Sequence, residues 1–127
     1  VEHINPGLYY YSPLQHGLKH LSEKREEKDL EIFFADKHIY NMVKNASIYI
    51  FITASPSKNI WKYSERGYRF CLIEAGHLAQ NINLVTAAKH LACLNIGGFY
   101  DLEVNQFLKL DGVSDITLYI ACIGICG

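Results

Sequence analysis

The stretch that most constrains this chain is the periodic run from Tyr68 to Val85. Tyr68, Cys71, Leu72, Ala75, Leu78, Ala79, Ile82 and Val85 recur at three- and four-residue steps, the spacing of one helix face. The pattern predicts an α-helix of about six turns that ends near Leu91. Gly76 falls in its interior, where glycine costs about 1 kcal/mol relative to alanine. A compensating close approach of another helix is therefore expected there.

The remaining elements are arranged around that helix. "GLYYYSP" and "HGLKHL" predict two short strands about a turn, with Pro13 and Gly17 as punctuation. Tyr9 and Tyr11 should share one strand face, Leu8 and Tyr10 the other. The weak helical period of "EEKDLEIFFADKHIYNMVKNA" predicts two short helices split near Asp36. "SIYIFITA", residues 47–54, is apolar on both faces and suits a central strand covered on both sides. A loop marked by Pro56 should follow. After the long helix, "ACLNIGGF" reads as a short strand entering a glycine turn. "DLEVNQFLKL" reads as a brief helix with Asp101 as its N-cap, and "ITLYIACIG" as a strand buried on both faces. The order predicts one domain, residues 1–127, of α+β class: a sandwich around a small central sheet with a long central helix.

Composition narrows the function. At 127 residues and a formal net charge of −1, the chain has no basic stripe for a nucleic acid. No apolar run reaches the roughly 20 residues that span a bilayer, and no signal peptide opens the sequence. Cys71, Cys93, Cys122 and Cys126 all lie in apolar segments, which reads as reduced, buried thiols in a cytoplasmic protein. Cys122 and Cys126 lack zinc-site spacing. In that compartment the sequon at Asn45 is a coincidence. "SEKREEKDLE", mixed in sign, reads as a solvated surface.

Three stretches could carry chemistry. In "WKYSERGYRF", Lys62 and Tyr63 stand beside Arg66 and Arg69 at a helix entry. Clustered positive charge would ease proton loss from a lysine or tyrosine, which suits acid–base work, although an exposed charged helix entry is the plainer reading. In "IGGF", adjacent glycines would let backbone approach a flat or anionic ligand, whereas a simple tight turn needs the same residues. Glu74 and His77 lie three apart, but a metal site of that kind requires a second such motif, and no metal is expected. Motifs of serine hydrolases, P-loops and dinucleotide-binding turns are missing from the sequence.

The blocks "PGLYYYSPLQHGLKHL", "WKYSERGYRFCLIEAGHLAQNINLVTAAKHL", "LNIGGFYD" and "LKLDGVSDITLYIACIG" occur in one order along nearly the whole chain. Together they resemble the SagB-type dehydrogenases of the nitroreductase superfamily, which include azoline oxidases. The resemblance implies a nitroreductase-like sandwich, FMN as cofactor, and a homodimer with flavin at the subunit interface. It matches Lys62 and Tyr63 to the family's proposed acid–base pair. It places Asn95, Ile96, Gly97 and Gly98 at the flavin, with the glycine turn near the ring's N5 edge. It makes the long helix the central dimer helix, which would account for Gly76.

The family also carries a preceding half, with an arginine segment that grips the flavin phosphate and a substrate-side loop. This chain's first residues match the family's middle, and Ile125 stands where a cation is common. Two readings follow. One is the C-terminal portion of an FMN oxidoreductase, as a fragment or a split subunit completed by a partner, acting on a peptide or small molecule. The other is a flavin-free scaffold or binding subunit of a peptide-modifying complex.

Overall fold

A computed structural model describes residues 3–23 and 28–125 of the chain. Cys126 and the middle of the mixed-charge run lie outside the described residues. The elements are β1 (Gly7–Ser12), β2 (Gly17–Glu23), α1 (Lys28–Glu31), α2 (Lys37–Val43), β3 (Ile48–Ala54), α3 (Pro56–Tyr63), α4 (Arg66–Ala88), β4 (Leu91–Ile96), α5 (Asp101–Leu108) and β5 (Ile116–Ile125).

Three antiparallel strands form the main sheet in the order β3-β5-β4. The expectation that residues 47–54 form the central strand is corrected: β3 is an edge strand of this sheet, and β5 holds the centre. The apolar double face of β3 was read correctly, because layers lie on both sides. On one side, Tyr49 and Phe51 of β3, Ile120 and Cys122 of β5, and Leu94 and Ile96 of β4 pack with Phe33, Phe34, Val43, Val104 and Phe107. The rings there meet edge-to-face: Phe33 lies 5.1 Å from Phe107 and 6.1 Å from Phe51 between centroids. On the other side, Ile50 and Ile52 of β3 and Leu118 and Tyr119 of β5 pack on Ala75, Ala79 and Ile82 of α4. The result is the predicted α+β sandwich.

Local signals explain most boundaries. Asp36 caps α2, its carboxylate accepting from the His38 amide at 2.8 Å, where the split between two helices was expected. α4 runs 23 residues and stops at Ala88, so Leu91 opens β4 rather than closing the helix. Pro56 does not mark a loop. It occupies the first turn of α3, where its missing N–H costs nothing. Asp101 is not the N-cap of α5. Tyr100 is, and Asp101 sits in the first turn, where a carboxylate favours the helix dipole. The β1–β2 hairpin forms its own two-stranded sheet, with Leu14 at its turn fully in solvent.

Candidate functional site

The glycine turn leaves the C-terminal end of β4. Ile96, the last strand residue, pairs with Ile120 and points into the aromatic core at 4 % exposure. Of the four residues assigned to a cofactor, Ile96 can therefore offer only its backbone. Asn95 and Gly97 fall on the opposite, α4-facing side by strand alternation. Asn95 Nδ2 donates to Asn83 Oδ1 of α4 at 3.0 Å, and its Oδ1 lies 3.8 Å from Cys93 Sγ. Its amide is engaged within the chain.

Gly97 and Gly98 are both exposed. A Cβ on Gly97 would sit 3.6 Å from the Tyr119 ring, in ordinary contact, and one on Gly98 would meet nothing within 4 Å. The two glycines thus form an open, flat ledge floored on one side by an aromatic ring. Just beyond it, Phe99 bridges Phe34 and the Tyr100 amide donates to Phe33 O at 2.8 Å, which ties the far end of the turn to the aromatic core. Backbone without a Cβ is therefore accessible there to a flat ligand edge.

Lys62 and Tyr63 end α3, a separate helix that packs against α4 rather than leading into it. The packing is backbone on backbone. A Cβ on Gly67 would fall 2.6 Å from the carbonyl carbon of Asn59 and the nitrogen of Ile60, so only glycine fits there. Asn59 Nδ2 adds a contact to Cys71 Sγ at 3.2 Å. The joint between the helices passes through Ser64 at φ 55°, ψ −148°, a conformation that side chains rarely adopt and that costs about 1–3 kcal/mol. Tyr63 stacks edge-on against Phe70 at 5.2 Å, and the Lys62 ammonium lies 5.1 Å above the Tyr63 ring. Both residues, with Arg66 and Arg69, are exposed. The structure thus joins Lys62 and Tyr63 to each other and to α4.

The predicted apolar face of α4 is only partly covered. Cys71, Ala75, Ala79 and Ile82 face inward, whereas Tyr68, Leu72, Leu78 and Val85 of the same periodic set are exposed. Gly76 has nothing within 4 Å of a Cβ, so no described helix approaches it. Glu74 and His77 are also exposed, and among the described residues no group of three or more His, Cys, Asp or Glu could hold a metal. Nor is any described helix long and apolar enough to cross a membrane. Cys71, Cys93 and Cys122 are free; burial pushes the Cys122 thiol up to about 12, with Cys93 adding to it. Cys122 is no nucleophile at neutral pH.

Two features escaped the sequence reading. One is Asn83, whose four-residue step from Ala79 places it on the inward face of α4 as a polar exception. The other is the loop before β5, where Asp111 Oδ1 accepts from the amides of Val113, Ser114 and Asp115 at 2.8–2.9 Å. Those bonds, the Asp115 amide foremost, hold the Asp111 carboxyl down at about 2. Asp115 in turn accepts from the Ser55 hydroxyl just before α3.

The chain's relatives agree with this architecture. Residues 10–125 match the model of the Nitroreductase family. A Methanocaldococcus jannaschii protein named "putative nitroreductase" is 29% identical over 107 residues, which cover 84% of this chain and 52% of that protein. A crystal structure of the same name from Anabaena variabilis superposes with a TM-score of 0.86 at 28% identity, over 99% of this chain and 25% of that one. A chain of the E. coli microcin synthetase McbBCD complex, with truncated pro-MccB17 bound, gives 0.74 at 23% identity, over 94% of this chain and 44% of that one. The chain thus spans about half the length of the curated relative it matches.

Proposed function

This chain belongs to the nitroreductase family, and from that premise we propose that it forms the C-terminal portion of an FMN-dependent oxidoreductase. The kind is that of a SagB-type dehydrogenase, acting as an azoline oxidase or nitroreductase on a peptide or small molecule in the cytoplasm. The observation that carries this reading is the exposed Gly97–Gly98 ledge, open on top and floored by Tyr119. FMN, when bound, supplies the two-electron acceptor.

The chain's own residues do the rest. Gly97 and Gly98 present backbone without a Cβ to the ring edge, and Asn95 and Ile96 hold that backbone in the sheet. Lys62 Nζ and Tyr63 Oη hold or move the proton exchanged with the substrate. A cation for the flavin phosphate would come from outside this chain, in a complementing subunit or another part of the full-length protein. The outer face of α4, with Leu72, Ile73 and Leu84 exposed around Gly76, is the surface for a second copy or that subunit.

The test is flavin retention by the full-length protein that carries this chain. FMN loading followed by gel filtration should leave the flavin band, at about 450 nm, with the protein. A colourless eluate would overturn the cofactor assignment. In loaded protein, Lys62→Ala or Tyr63→Phe should slow turnover about 10²–10⁴-fold, and unchanged rates would remove both from the proton path.

A second reading, a flavin-free scaffold within a peptide-modifying complex, is favoured by one observation. Lys62 rests on its neighbour's ring beside Trp61, which is 90% exposed, so the pair stands on an open surface. Colourless protein that still co-purifies with a partner subunit would select it.

A further inference from the structure

We infer that Asn83 is the positioning residue for the glycine ledge, acting through Asn95. This inference rests on the flavin reading only for its consequence in binding, and stands on geometry for the rest. The inward face of α4 consists mainly of small or apolar groups: Ala75, Ala79 and Ile82 meet the sheet, and the Thr86 hydroxyl turns back to the carbonyls of Ile82 and Asn83 in its own helix. Contacts of this kind are short-range dispersion and carry little directional preference. Asn83 is different. Its Oδ1 accepts from Asn95 Nδ2 at 3.0 Å, in a partly buried bond between the helix and β4.

The location gives the bond its meaning. β4 is an edge strand, held by β5 on one side only, and Asn95 lies two residues before Gly97 on the same face. Gly97 and Gly98 have no side chains with which to anchor themselves. Their end of β4 is fixed in height above α4 by the Asn83–Asn95 amide pair, as Phe99 and Tyr100 fix the far end against the aromatic core. Cys93 Sγ on Asn95 Oδ1 leaves the Nδ2 edge of the amide facing Asn83, so the pair has one polarity. A partly buried amide that loses its partner must find water or rotate, and the strand end moves with it.

The test uses the full-length protein with Asn83→Ala, Asn83→Asp and the Asn83→Ala/Asn95→Ala double variant. In flavin-free protein, the backbone ¹⁵N order parameters of Gly97 and Gly98 should fall from about 0.85 toward 0.6 in Asn83→Ala. Asn83→Asp, which keeps an acceptor for Asn95 Nδ2, should restore them. Ile82→Val, which loosens the same helix–sheet contact without touching the amide pair, should leave them unchanged. FMN affinity should drop about tenfold in Asn83→Ala, the worth of one such bond, and no further in the double variant. Glycine order parameters that do not respond to Asn83→Ala, or that respond equally to Ile82→Val, would overturn the inference. If the wild-type protein takes up no FMN, the cofactor reading fails, and the order parameters still decide the role of Asn83.

Discussion

The two faces of the three-stranded sheet are built by opposite means. One carries large rings, Phe33, Phe34, Phe51 and Phe107, meeting edge-to-face around Ile120 and Val104, both fully buried. The other meets α4 through Ala75, Ala79 and Ile82. The aromatic side is thick, and the larger cluster of buried residues lies there. The α4 side is thin, which lets the helix lie close enough for Asn83 to reach Asn95 and leaves the glycine ledge open beside it. The larger core and the candidate site thus lie on opposite faces.

The sharpest way to break that division is at Phe33, 2% exposed. Phe33→Ala should destabilise the fold by about 3–5 kcal/mol, read from denaturant midpoints, while flavin affinity of the protein that remains folded stays unchanged. A fall in affinity would mean that the aromatic layer also shapes the ledge. Ala79→Leu tests the opposite face. Overpacking there should cost about 1–3 kcal/mol and, unlike Phe33→Ala, should weaken FMN binding by lifting α4 from the strands.

Gly76→Ala is smaller and its sign is informative. On an open helix surface, alanine should stabilise the monomer by about 1 kcal/mol. If a second subunit lies against that face, the same change should weaken association, seen as a concentration-dependent shift in sedimentation. Titration below pH 4 is a milder test, far from either face. The Asp111 carboxyl is held below its ordinary value of 3.8 at about 2 by loop amides. Its contribution to stability is present above the unfolded value and is lost as pH falls through about 2. Asp111→Asn should flatten thermal stability between pH 4 and 2, and no change in slope would show that the loop bonds add nothing to folding.

Much of this was legible in the residues, for stated reasons. A helix of 23 residues writes its period clearly, and strands of β-branched and aromatic residues bounded by turns are equally plain. The glycine ledge was legible as a motif. Pairing order was not: β3 and β5 both read as doubly covered, and nothing local says which lies between two neighbours. α3 was missed because eight residues opening on proline give too few turns for a period. The period of α4 also concealed how much of its apolar face stays uncovered, since sequence records hydrophobicity and not whether a partner in the same chain covers it. Asn83 could have been found from its four-residue step after Ala79, but its meaning required Asn95 across the gap.

Gly67 has one further consequence. Because it sets α3 backbone-to-backbone on α4, any side chain at that position would part the two helices and carry Lys62 and Tyr63, at the end of α3, away from the long helix. If, as proposed, a partner docks on the long helix and those two residues handle a proton, this seam is where the two roles meet.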